Sequence, residues 1–428
     1  MKPILQVALD FVDLPRALKV AAESVSGGAD WIEAGTPLIK SIGLESVREL
    51  RKRFPGHQIV ADMKTMDVGR LEVETAAKAG ANIVCVIAMA PDATIRDAVK
   101  AGENYGAKIM VDFLGCSSIL KRAREIEKLG ADFLGIHISI DEQMEGEISF
   151  NQLKELRLKT NLPIAVAGGI NSETVVDALN AGADILIVGG AITKEEDARE
   201  ATRKIKRAMQ TKTKIKTKLY KRITEKNAKD ILLLVSTANI SDAMHREGAL
   251  KGISPVFSGI KMAGKAFTVR TYPGDWAKPV EAVDLAKKGD VIVVDAGGVG
   301  PAVWGELATN SCLAKGIAGV VIDGAIRDAG EIKKLKFSAF SKIITPAAGE
   351  PKGFGELNVP VRLGGRKIFP GDWVVGDDDG VVVIPQKEAA EVANRAMDVL
   401  ERENRLRKEI KDGTTLSKIT ELLKWEKR

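Results

Sequence analysis

The sequence is poor in cysteine and has no long apolar run. Its 428 residues include three scattered cysteines, Cys85, Cys116 and Cys312, which show neither a metal-ligand spacing nor the even count of a disulfide framework. No apolar stretch is long enough to span a bilayer, and the first residues lack the layout of a signal peptide. We therefore expect a reduced, cytoplasmic protein without a membrane partner.

The length fits two domains rather than one. Apolar residues make up 45% and charged residues 29% of the chain, as in ordinary globular proteins. The net charge of +6 is modest, and much of it lies in a lysine-rich stretch. We predict a first domain at 1–210, a basic linker at 211–229 and a second domain at 230–428. Binding of single-stranded nucleic acid uses several aromatic side chains for base stacking, and the basic stretch contains only Tyr220. The linker therefore does not favour nucleic-acid binding.

The first domain repeats a strand–helix unit. Eight apolar runs alternate with helical stretches, at 4–10, 31–36, 58–64, 82–88, 108–114, 133–139, 163–169 and 185–190. A Gly-Ala-Asp or Gly-Ala-Asn phrase precedes every second run, and its glycines (28, 80, 130 and 182) are predicted to end helices. Eight such units predict an α/β fold, a (β/α)8 TIM barrel, with an open doubly wound sheet as the alternative.

Ionisable residues collect at the ends of these runs. They are Asp10, Glu33, Asp62, Lys64, Asp67 and His137. Residues two apart on a strand share a face, so Asp62 and Lys64 are predicted to point the same way, whereas Asp67 lies past the strand end. The carboxyl ends of barrel strands carry the chemistry of this architecture. Although a surface ion pair or a core histidine is the simpler interpretation of each residue alone, the set indicates proton removal from carbon with charge stabilisation on a neighbouring oxygen.

The last two strands of the barrel end in glycine pairs. Gly168 and Gly169 follow the seventh run, and Gly189 and Gly190 follow the eighth. Glycine allows backbone N–H groups to approach an anion, and these loops are the usual phosphate site of the architecture. Glu33 and Asp62 are hard oxygen ligands on adjacent strands, which suits Mg²⁺. A small phosphorylated substrate is therefore expected.

In these residues and the segments around them, the first domain resembles 3-hexulose-6-phosphate synthase, of the orotidine-monophosphate decarboxylase superfamily. The matching segments are VALD at 7–10, IEAGTP at 32–37, ADMKTMD at 61–67, IH at 136–137, DEQ at 141–143, VAGGI at 166–170 and VGGAI at 188–192. The resemblance implies reversible condensation of ribulose 5-phosphate with formaldehyde, with Mg²⁺ on Glu33 and Asp62 and His137 as base. It also implies a dimer in which Asp67 reaches the neighbour's active site. The forward reaction would fix formaldehyde, and the reverse would supply pentose phosphate.

A sister activity, 3-keto-gulonate-phosphate decarboxylase, is the alternative for the first domain. That family tends to carry an arginine three residues after the histidine and another after the glycine of strand eight. Ile140 and Gly190 occupy those positions here. Neither can hold a departing carboxylate or a phosphate by charge, so the residues favour the synthase.

The second domain combines predicted strands at 266–270, 291–295, 319–322 and 380–384 with a predicted helix capped by Ser241. A glycine-rich loop at 297–300 lacks the full dinucleotide fingerprint. From about Lys387 the chain reads as a helical tail with an apolar stripe, predicted to pack on its own domain or on a neighbour.

The motifs WGELA at 304–308 and VIDGAIRD at 321–328 give the second domain its resemblance. It is similar to the α/β layered family of ribonuclease-activity regulator A and 4-hydroxy-4-methyl-2-oxoglutarate aldolase. Glu306 lies 21 positions before Arg327, where family aldolases carry an acid. The resemblance implies an oxoacid site made of Arg327 and the backbone of Gly305, Glu306, Leu307 and Ala308, with a divalent metal on Asp328.

Two functions are open for that domain: a metal-dependent oxoacid aldolase or decarboxylase, and a non-enzymatic module that binds a ribonuclease. Members of this second family form trimers. A dimeric barrel fused to a trimeric partner suggests a hexamer by analogy.

Overall fold

The computed structural model describes residues 2–137, 150–217, 220, 223 and 227–419. Their packing divides them into two compact units, one made of 2–137, 150–217, 220 and 401–419 and the other of 223 and 227–400. Ile140 and the segment 141–143, both used in the sequence comparison above, lie outside the described residues.

The first unit is built on a closed barrel of parallel strands. The strands are β1 (Ile4–Leu9), β2 (Trp31–Ala34), β3 (Gln58–Thr65), β4 (Ile83–Ile87), β5 (Lys108–Asp112), β6 (Phe133–His137), β7 (Ile164–Ala167) and β8 (Ile185–Val188). They pair in chain order, and β8 closes the barrel on β1 through the register Ile4–Ile185. The predicted (β/α)8 barrel is confirmed, and the open sheet is not found.

Helices connect the strands and cover the barrel. They are α1 (Leu14–Gly27), α2 (Thr36–Ile42), α3 (Glu45–Arg53), α4 (Gly69–Lys78), α5 (Asp92–Tyr105), α6 (Ile119–Lys128), α7 (Asn151–Arg157), α8 (Thr174–Asn180), α9 (Gly190–Thr193) and α10 (Ala198–Thr211). The four glycines of the repeated phrase have φ between 93° and 107°. An L-residue is strained in this left-handed region, which explains the glycine at each helix end.

Alternation along the strands separates two cores. The inner core of the barrel consists of Val60, Ile83, Cys85, Met110, Phe133, Ala165 and Ile185. Residues of the opposite phase, such as Ile59, Val84 and Leu134, pack in the layer between strands and helices. Two residues beyond an inner-core position, the same phase reaches the carboxyl end of the strand. Val60 thus leads to Asp62, and Met110 leads to Asp112.

The basic linker begins against the barrel. Ile215 N donates to Ser172 O at 3.0 Å, and Ser172 Oγ donates to Ile215 O at 2.6 Å. Lys214 pairs with Asp177 of α8 at 2.8 Å. At least this part of the lysine-rich stretch is therefore held by the first unit.

The second unit contains a mixed sheet in the order β19-β18-β10-β11-β13-β14-β9, with β12 beside β13 and β15 beside β10, and a separate β16–β17 hairpin. Its strands are β9 (Ser254–Pro255), β10 (Met262–Arg270), β11 (Val291–Asp295), β12 (Ala302–Trp304), β13 (Gly319–Ile326), β14 (Ala339–Ile344), β15 (Glu356–Leu357), β16 (Val361–Leu363), β17 (Arg366–Ile368), β18 (Trp373–Asp377) and β19 (Gly380–Ile384). The predicted strands correspond to β10, β11, β13 and β19.

Helices pack beside this sheet and form the tail. They are α11 (Ala228–Leu234), α12 (Thr237–Ala243), α13 (Ala277–Leu285), α14 (Glu306–Lys315), α15 (Ala329–Lys334), α16 (Ala389–Lys411) and α17 (Leu416–Ile419). The helical tail is confirmed. None of the helices in the described part of the chain is long and apolar enough to cross a membrane.

The predicted cap of α12 was wrong. Ser236 caps this helix: its hydroxyl accepts from the backbone N–H of Asn239, and the Asn239 side chain returns a contact to the cap backbone. Ser241 lies inside the helix instead. Ser236 is the cap because it immediately precedes the first helical residue, Thr237. The side-chain amide of Asn239, three residues later, completes a capping box with it.

The last part of the tail packs with the first unit. Arg405 of α16 is 3% exposed and forms ion pairs with Glu23 of α1 and with Glu409. Arg16 of α1 also pairs with Glu409, at 3.3 Å. The end of the predicted helical tail therefore packs on the barrel.

Candidate active site

A lysine at the mouth of the barrel joins two carboxylates. Lys64 Nζ lies 3.0 Å from Asp62 Oδ2 and 3.2 Å from Asp112 Oδ2. Burial acts to lower the pKa of the Lys64 ammonium, but these two carboxylates raise that pKa above its ordinary value. The side chain is therefore a permanent cation rather than a base.

The backbone of Lys64 is irregular. Its φ is 47°, in the left-handed region that side chains other than glycine rarely adopt, and the pairing of β3 with β4 shifts between Ala61 and Thr65. The predicted meeting of Asp62 and Lys64 is confirmed, but a strained, bulged strand end accompanies it. Strain of this kind is concentrated at functional sites, where the surrounding structure maintains it.

His137 at the end of β6 is held by the same carboxylate. Its Nδ1 lies 3.2 Å from Asp112 Oδ2. Burial acts to raise the pKa of Asp112, yet the hydrogen bond and charge of His137 and the charge of Lys64 bring that pKa below its ordinary value. An ionised carboxylate only accepts hydrogen bonds, so in the neutral imidazole Nδ1 carries the proton and Nε2 keeps the lone pair. Nε2 is therefore the ring atom that can accept a proton.

Asp10 lies between two glycines. A Cβ on Gly35 would stand well inside contact distance of Asp10 Oδ1, and a Cβ on Gly189 would lie 3.3 Å from Asp10 Oδ2. Burial and then the charge of Asp62 raise the pKa of Asp10, while Lys64 and His137 act to lower it. These mutual effects place Asp10 in one electrostatic cluster with Asp62, Lys64 and His137.

Glu33, which is 6% exposed, completes the cluster. Gln6 Nε2 donates to Glu33 Oε2 at 2.5 Å. Burial, followed by the charges of Asp62 and Asp10, raises the pKa of Glu33 well above its ordinary value. Repulsion among the three carboxylates at the barrel mouth favours the binding of a proton or a cation between them.

The residues present fit Mg²⁺. Gln6 Oε1 is buried and has no hydrogen-bond partner among the described residues, and it belongs to the side chain that contacts Glu33. Although no group of three or more His, Cys, Asp or Glu ligands occurs in the described part of the chain, Mg²⁺ is usually held by one or two carboxylates together with water and substrate oxygens. Glu33 and Asp62 supply that number.

The two glycine pairs follow neighbouring strands. Gly168 and Gly169 have φ of 98° and 66°, so both positions favour glycine. Gly189 and Gly190 directly follow β8, which pairs with β7 through the register Ala167–Ile187. The structure therefore brings both pairs to the same end of the barrel as Asp10.

Asp67 does not join the cluster of its own chain. It is exposed, and its carboxylate accepts from the neighbouring Val68 N at 2.7 Å. Met66 and Val68 beside it are 52% and 58% exposed. The role that the resemblance implies for Asp67, in a neighbour's active site, remains a prediction.

Three residues of the site were missed from the sequence. Asp112 orients His137 and contacts Lys64, Gln6 holds Glu33, and Thr36 Oγ1 donates to Asp62 Oδ2 at 2.7 Å. Asp112 carried a usable signal, because it ends a strand in the same way as the acids that were selected. Thr36 lies within the matching segment at 32–37 but was not singled out there, and Gln6 carried no signal of its own.

The second unit brings together four of its predicted site residues. Glu306 N donates to Asp328 Oδ2 at 3.1 Å, and Arg327 Nε lies 3.5 Å from the same oxygen. A Cβ on Gly305 would lie 2.6 Å from that oxygen, so a larger residue there would displace the Asp328 carboxylate.

The remaining two predicted residues differ from each other in exposure. Leu307 is 76% exposed, whereas the Ala308 side chain is buried in the core. Only their backbone was predicted to contribute to the oxoacid site. Asp328 has φ 59° and immediately precedes α15. It is therefore, like Lys64 in the first unit, a predicted site residue with a left-handed backbone.

Comparisons with known proteins match the two halves separately. A family model described as Orotidine 5'-phosphate decarboxylase / HUMPS family matches residues 3–205, and one described as RraA-like, Aldolase/RraA, matches residues 237–383. A 3-hexulose-6-phosphate synthase of Bacillus subtilis is 38% identical over 203 residues, which cover 47% of this chain and 96% of the relative.

Solved structures match the same half. A crystal structure of 3-hexulose-6-phosphate synthase is 39% identical, with a TM-score of 0.47, covering 49% of this chain and 99% of that one. A 3-keto-L-gulonate-6-phosphate decarboxylase from Vibrio cholerae is 27% identical, with a TM-score of 0.46, and covers 49% and 99%.

The closed barrel and the match to curated 3-hexulose-6-phosphate synthases define the first half as a (β/α)8-barrel lyase. The chain belongs, through that half, to the orotidine 5'-phosphate decarboxylase / HUMPS family, where it matches 3-hexulose-6-phosphate synthases, and it carries an Aldolase/RraA domain as its second half.

Proposed function

We propose that the first half catalyses the reversible aldol condensation of D-ribulose 5-phosphate with formaldehyde to D-arabino-hex-3-ulose 6-phosphate. The observation that carries the proposal is the contact of Asp112 with both His137 and Lys64, at 3.2 Å each. This arrangement supplies a base and a fixed cation side by side, in a chain that matches synthases of this name over nearly their whole length.

Proton removal falls to His137. With Nδ1 donating to Asp112, Nε2 takes the proton from C1 of ribulose 5-phosphate, and the electron pair moves to the carbonyl oxygen at C2 to give an enediolate. The Lys64 ammonium stabilises the negative charge there, since its raised pKa keeps it protonated. Asp62 and Asp112 hold the ammonium in position.

Carbon–carbon bond formation follows from the enediolate. Its C1 attacks the formaldehyde carbon, the carbonyl at C2 is restored, and the former formaldehyde oxygen takes up the proton that His137 holds. No atom is lost, so the same groups catalyse the reverse cleavage. Mg²⁺ held by Glu33 and Asp62 would supply further positive charge beside the substrate oxygens. The glycine pairs at 168–169 and 189–190 would bind the phosphate through backbone N–H groups.

Turnover of purified full-length protein with ribulose 5-phosphate and formaldehyde, with Mg²⁺ and with EDTA, tests this proposal. His137→Asn should lower kcat about a hundredfold or more, because general-base catalysis typically contributes 10²–10⁴-fold. His245→Asn is the matched control, since His245 is exposed in the other unit and asparagine tolerates its φ of 56°. Full activity in His137→Asn would refute the assignment of the base.

A 3-keto-gulonate-6-phosphate decarboxylase is the rival for the same site, because loss of carbon dioxide gives a similar enediolate. Gly190 argues against it, since a glycine offers no charge where that family tends to place arginine. Carbon dioxide release from 3-keto-gulonate 6-phosphate, at a rate above that of the aldol reaction, would reverse the choice.

For the second half we propose a metal-dependent oxoacid aldolase or decarboxylase. The common contact of Arg327 and Glu306 N with Asp328 Oδ2 supports it. Arg327 would bind the substrate carboxylate by its planar fork, and Asp328 would hold the divalent cation, through water in the arrangement that the resemblance implies.

Pyruvate release from a 4-hydroxy-2-oxo acid or from oxaloacetate by the full chain tests this second activity. Arg327→Met should abolish it, while Arg366→Met, which removes an exposed arginine paired with Glu247, should not. The alternative is a ribonuclease-binding module. No pyruvate from the wild type, together with inhibition of a ribonuclease that Arg327→Met leaves intact, would establish that alternative.

We also propose a barrel dimer in which Asp67 serves the neighbouring site, assembled further into a hexamer through the second half. The exposed position of Asp67 and of the apolar Met66 and Val68 beside it is compatible with a dimer contact. Molar mass in solution, measured for wild type and Met66→Asp, tests the dimer step.

A further inference from the structure

A lysine lies over the second glycine pair. Lys194 follows Gly190 by four residues, and a Cβ on Gly190 would lie 3.1 Å from Lys194 Cε and 3.3 Å from its Nζ. Residues four apart share a helix face, and the side chain leans back toward the start of the helix. The Lys194 ammonium therefore lies beside the backbone of the glycine pair that we assign to phosphate.

The glycine pairs alone offer only neutral N–H groups. A phosphate monoester carries close to two negative charges at neutral pH, and charge-assisted hydrogen bonds, such as those between an ammonium and a phosphate, are about twice as strong as neutral ones. The nearby carboxylate of Asp10, 3.3 Å from where a Gly189 Cβ would stand, adds a charge that repels a phosphate. A cation at Gly190 supplies what the backbone lacks.

The loop that presents Lys194 is fixed by a buried arginine from the C-terminal helix. Arg405 Nη1 donates to the carbonyl oxygens of Glu195 and Glu196, at 2.7 Å each. The Arg405 side chain is 4% exposed, and its Nε and Nη2 pair with Glu409 and Glu23. Because the two carbonyls belong to the residues directly after Lys194, the guanidinium fixes the backbone that carries this lysine.

This anchor comes from outside the family barrel. The B. subtilis relative aligns over 203 residues that make up 96% of its own length, and the barrel family model ends at residue 205. Arg405 lies 200 residues further on, in α16, which begins in the second unit. A chain the length of that relative has no room for an equivalent helix.

We propose that Lys194 binds the phosphate of the barrel's substrate and that Arg405 is the positioning residue that holds Lys194 in place, so that the C-terminal helix completes the sugar-phosphate site. The proposal rests on the function proposed above for the first half. It makes the tail a working part of the barrel rather than a mere end of the second domain.

Substitutions in the full chain test the binding role. Lys194→Met should raise KM for ribulose 5-phosphate and Ki for inorganic phosphate about ten- to hundredfold, the range expected for a lost hydrogen bond between charged groups. The values of kcat and of KM for formaldehyde should change less than about threefold. Lys194→Arg should restore most of the affinity. Lys121→Met, on exposed α6, is the control and should leave every constant unchanged.

The positioning role needs a second set of variants. Arg405→Met should raise the same KM and Ki in the same direction, by about three- to tenfold, because the loop is loosened while the lysine remains. Arg407→Met removes an exposed arginine paired with Glu403 on the same helix and should have no effect. Thermal unfolding of each variant separates a loosened loop from an unfolded barrel.

The outcomes distinguish this inference from the proposed function. Unchanged KM and Ki in Lys194→Met would overturn the binding role while wild-type turnover stands. Unchanged KM and Ki in Arg405→Met, with a lowered Tm, would reduce Arg405 to a structural residue and overturn its positioning role. Calorimetric binding of inorganic phosphate requires no turnover, so a Lys194-dependent Kd would support the inference even if ribulose 5-phosphate and formaldehyde do not react.

Discussion

Oδ2 of Asp112 lies 3.2 Å from Nδ1 of His137 at the mouth of the barrel. The same oxygen lies 3.2 Å from Lys64 Nζ, so one carboxylate fixes the tautomer of the base and the position of the cation. Its lowered pKa keeps it ionised, although burial alone would act in the opposite direction. The residue that joins these two side chains belongs to none of the motifs that carried the family resemblance.

Asp112→Asn should lower kcat about a hundredfold or more and leave KM for ribulose 5-phosphate within a few-fold. An amide presents one acceptor oxygen instead of two ionised ones, so it cannot serve both Lys64 and the Nδ1 hydrogen, and the wrong imidazole tautomer gains population. Steady-state kinetics at saturating formaldehyde measure the effect. Asp97→Asn on the exposed face of α5 is the control. A variant that keeps the wild-type kcat would show that Asp112 does not set the tautomer.

Gly35→Ala should lower kcat/KM at least about tenfold. The backbone at Gly35 has φ −65° and accepts any residue, but the new methyl group would overlap Asp10 Oδ1 and lie 3.0 Å from Leu9 O. The carboxylate must therefore move. Overpacking of this kind also costs about 1–3 kcal/mol of stability, which thermal unfolding would detect.

Gly56→Ala is the matched control for that substitution, since a Cβ there meets nothing within 4 Å and its φ is not positive. It should leave kcat/KM and Tm unchanged. Equal activity of the Gly35 and Gly56 variants would show that the position of Asp10 is unimportant for turnover.

Local sequence patterns were sufficient to predict most of the barrel fold. Apolar runs of strand length and a glycine at every second helix end are short-range signals, and the structure confirms both. The carboxyl-end rule then placed Asp10, Glu33, Asp62 and His137 correctly, because all strands of the barrel run parallel and a residue near the end of its strand therefore lies at the same end of the barrel.

The features that the sequence did not predict depend on long-range contacts or on irregular backbone geometry. The left-handed backbone of Lys64 and the shifted pairing of β3 with β4 are examples, because regular alternation along a strand predicts neither. Arg405 meets Glu195 from 210 positions away. In the second unit, strands β9 and β15 have two residues each and are defined by their pairing with β14 and β10. Two residues are too few to show the alternation from which a strand is predicted.

Thiol reactivity offers a check on the burial of the site. Burial, followed by the charges of Asp62 and Glu33, raises the pKa of Cys85 well above its ordinary value, and burial raises the pKa of Cys312 to about 12. Since the thiolate is the reactive form, a disulfide reagent at pH 8 should modify Cys116 alone in the native protein, and all three cysteines after denaturation. Mass spectrometry of the labelled peptides identifies them. Rapid labelling of Cys85 in the native state would contradict a closed barrel interior.

Glu33→Gln should inactivate the barrel and yet stabilise it at alkaline pH. Burial and the charges of Asp62 and Asp10 raise the pKa of Glu33 above its ordinary 4.5. An acid whose folded pKa is raised binds its proton more tightly in the native state, so its stabilising contribution is fully present below pH 4.5 and is lost as the pH rises through the raised value. Glutamine removes the buried charge, and its amide can donate to Gln6 Oε1, which lacks a hydrogen-bond partner in the part of the chain that the structure describes.

The Tm of Glu33→Gln, measured in EDTA, should therefore exceed that of the wild type at pH 8, and the difference should shrink toward pH 4. Each kcal/mol of relieved repulsion corresponds to about 2–4 °C. Mg²⁺ should raise the wild-type Tm and close the gap, because a cation between Glu33 and Asp62 neutralises the same charge. Glu103→Gln, on an exposed helix position, should show no pH-dependent difference. If the Glu33 variant were less stable than the wild type at every pH, the Glu33 carboxylate would be stabilising in the folded barrel. The assignment of Glu33 to a cluster of mutually repelling carboxylates that binds Mg²⁺ would then be wrong.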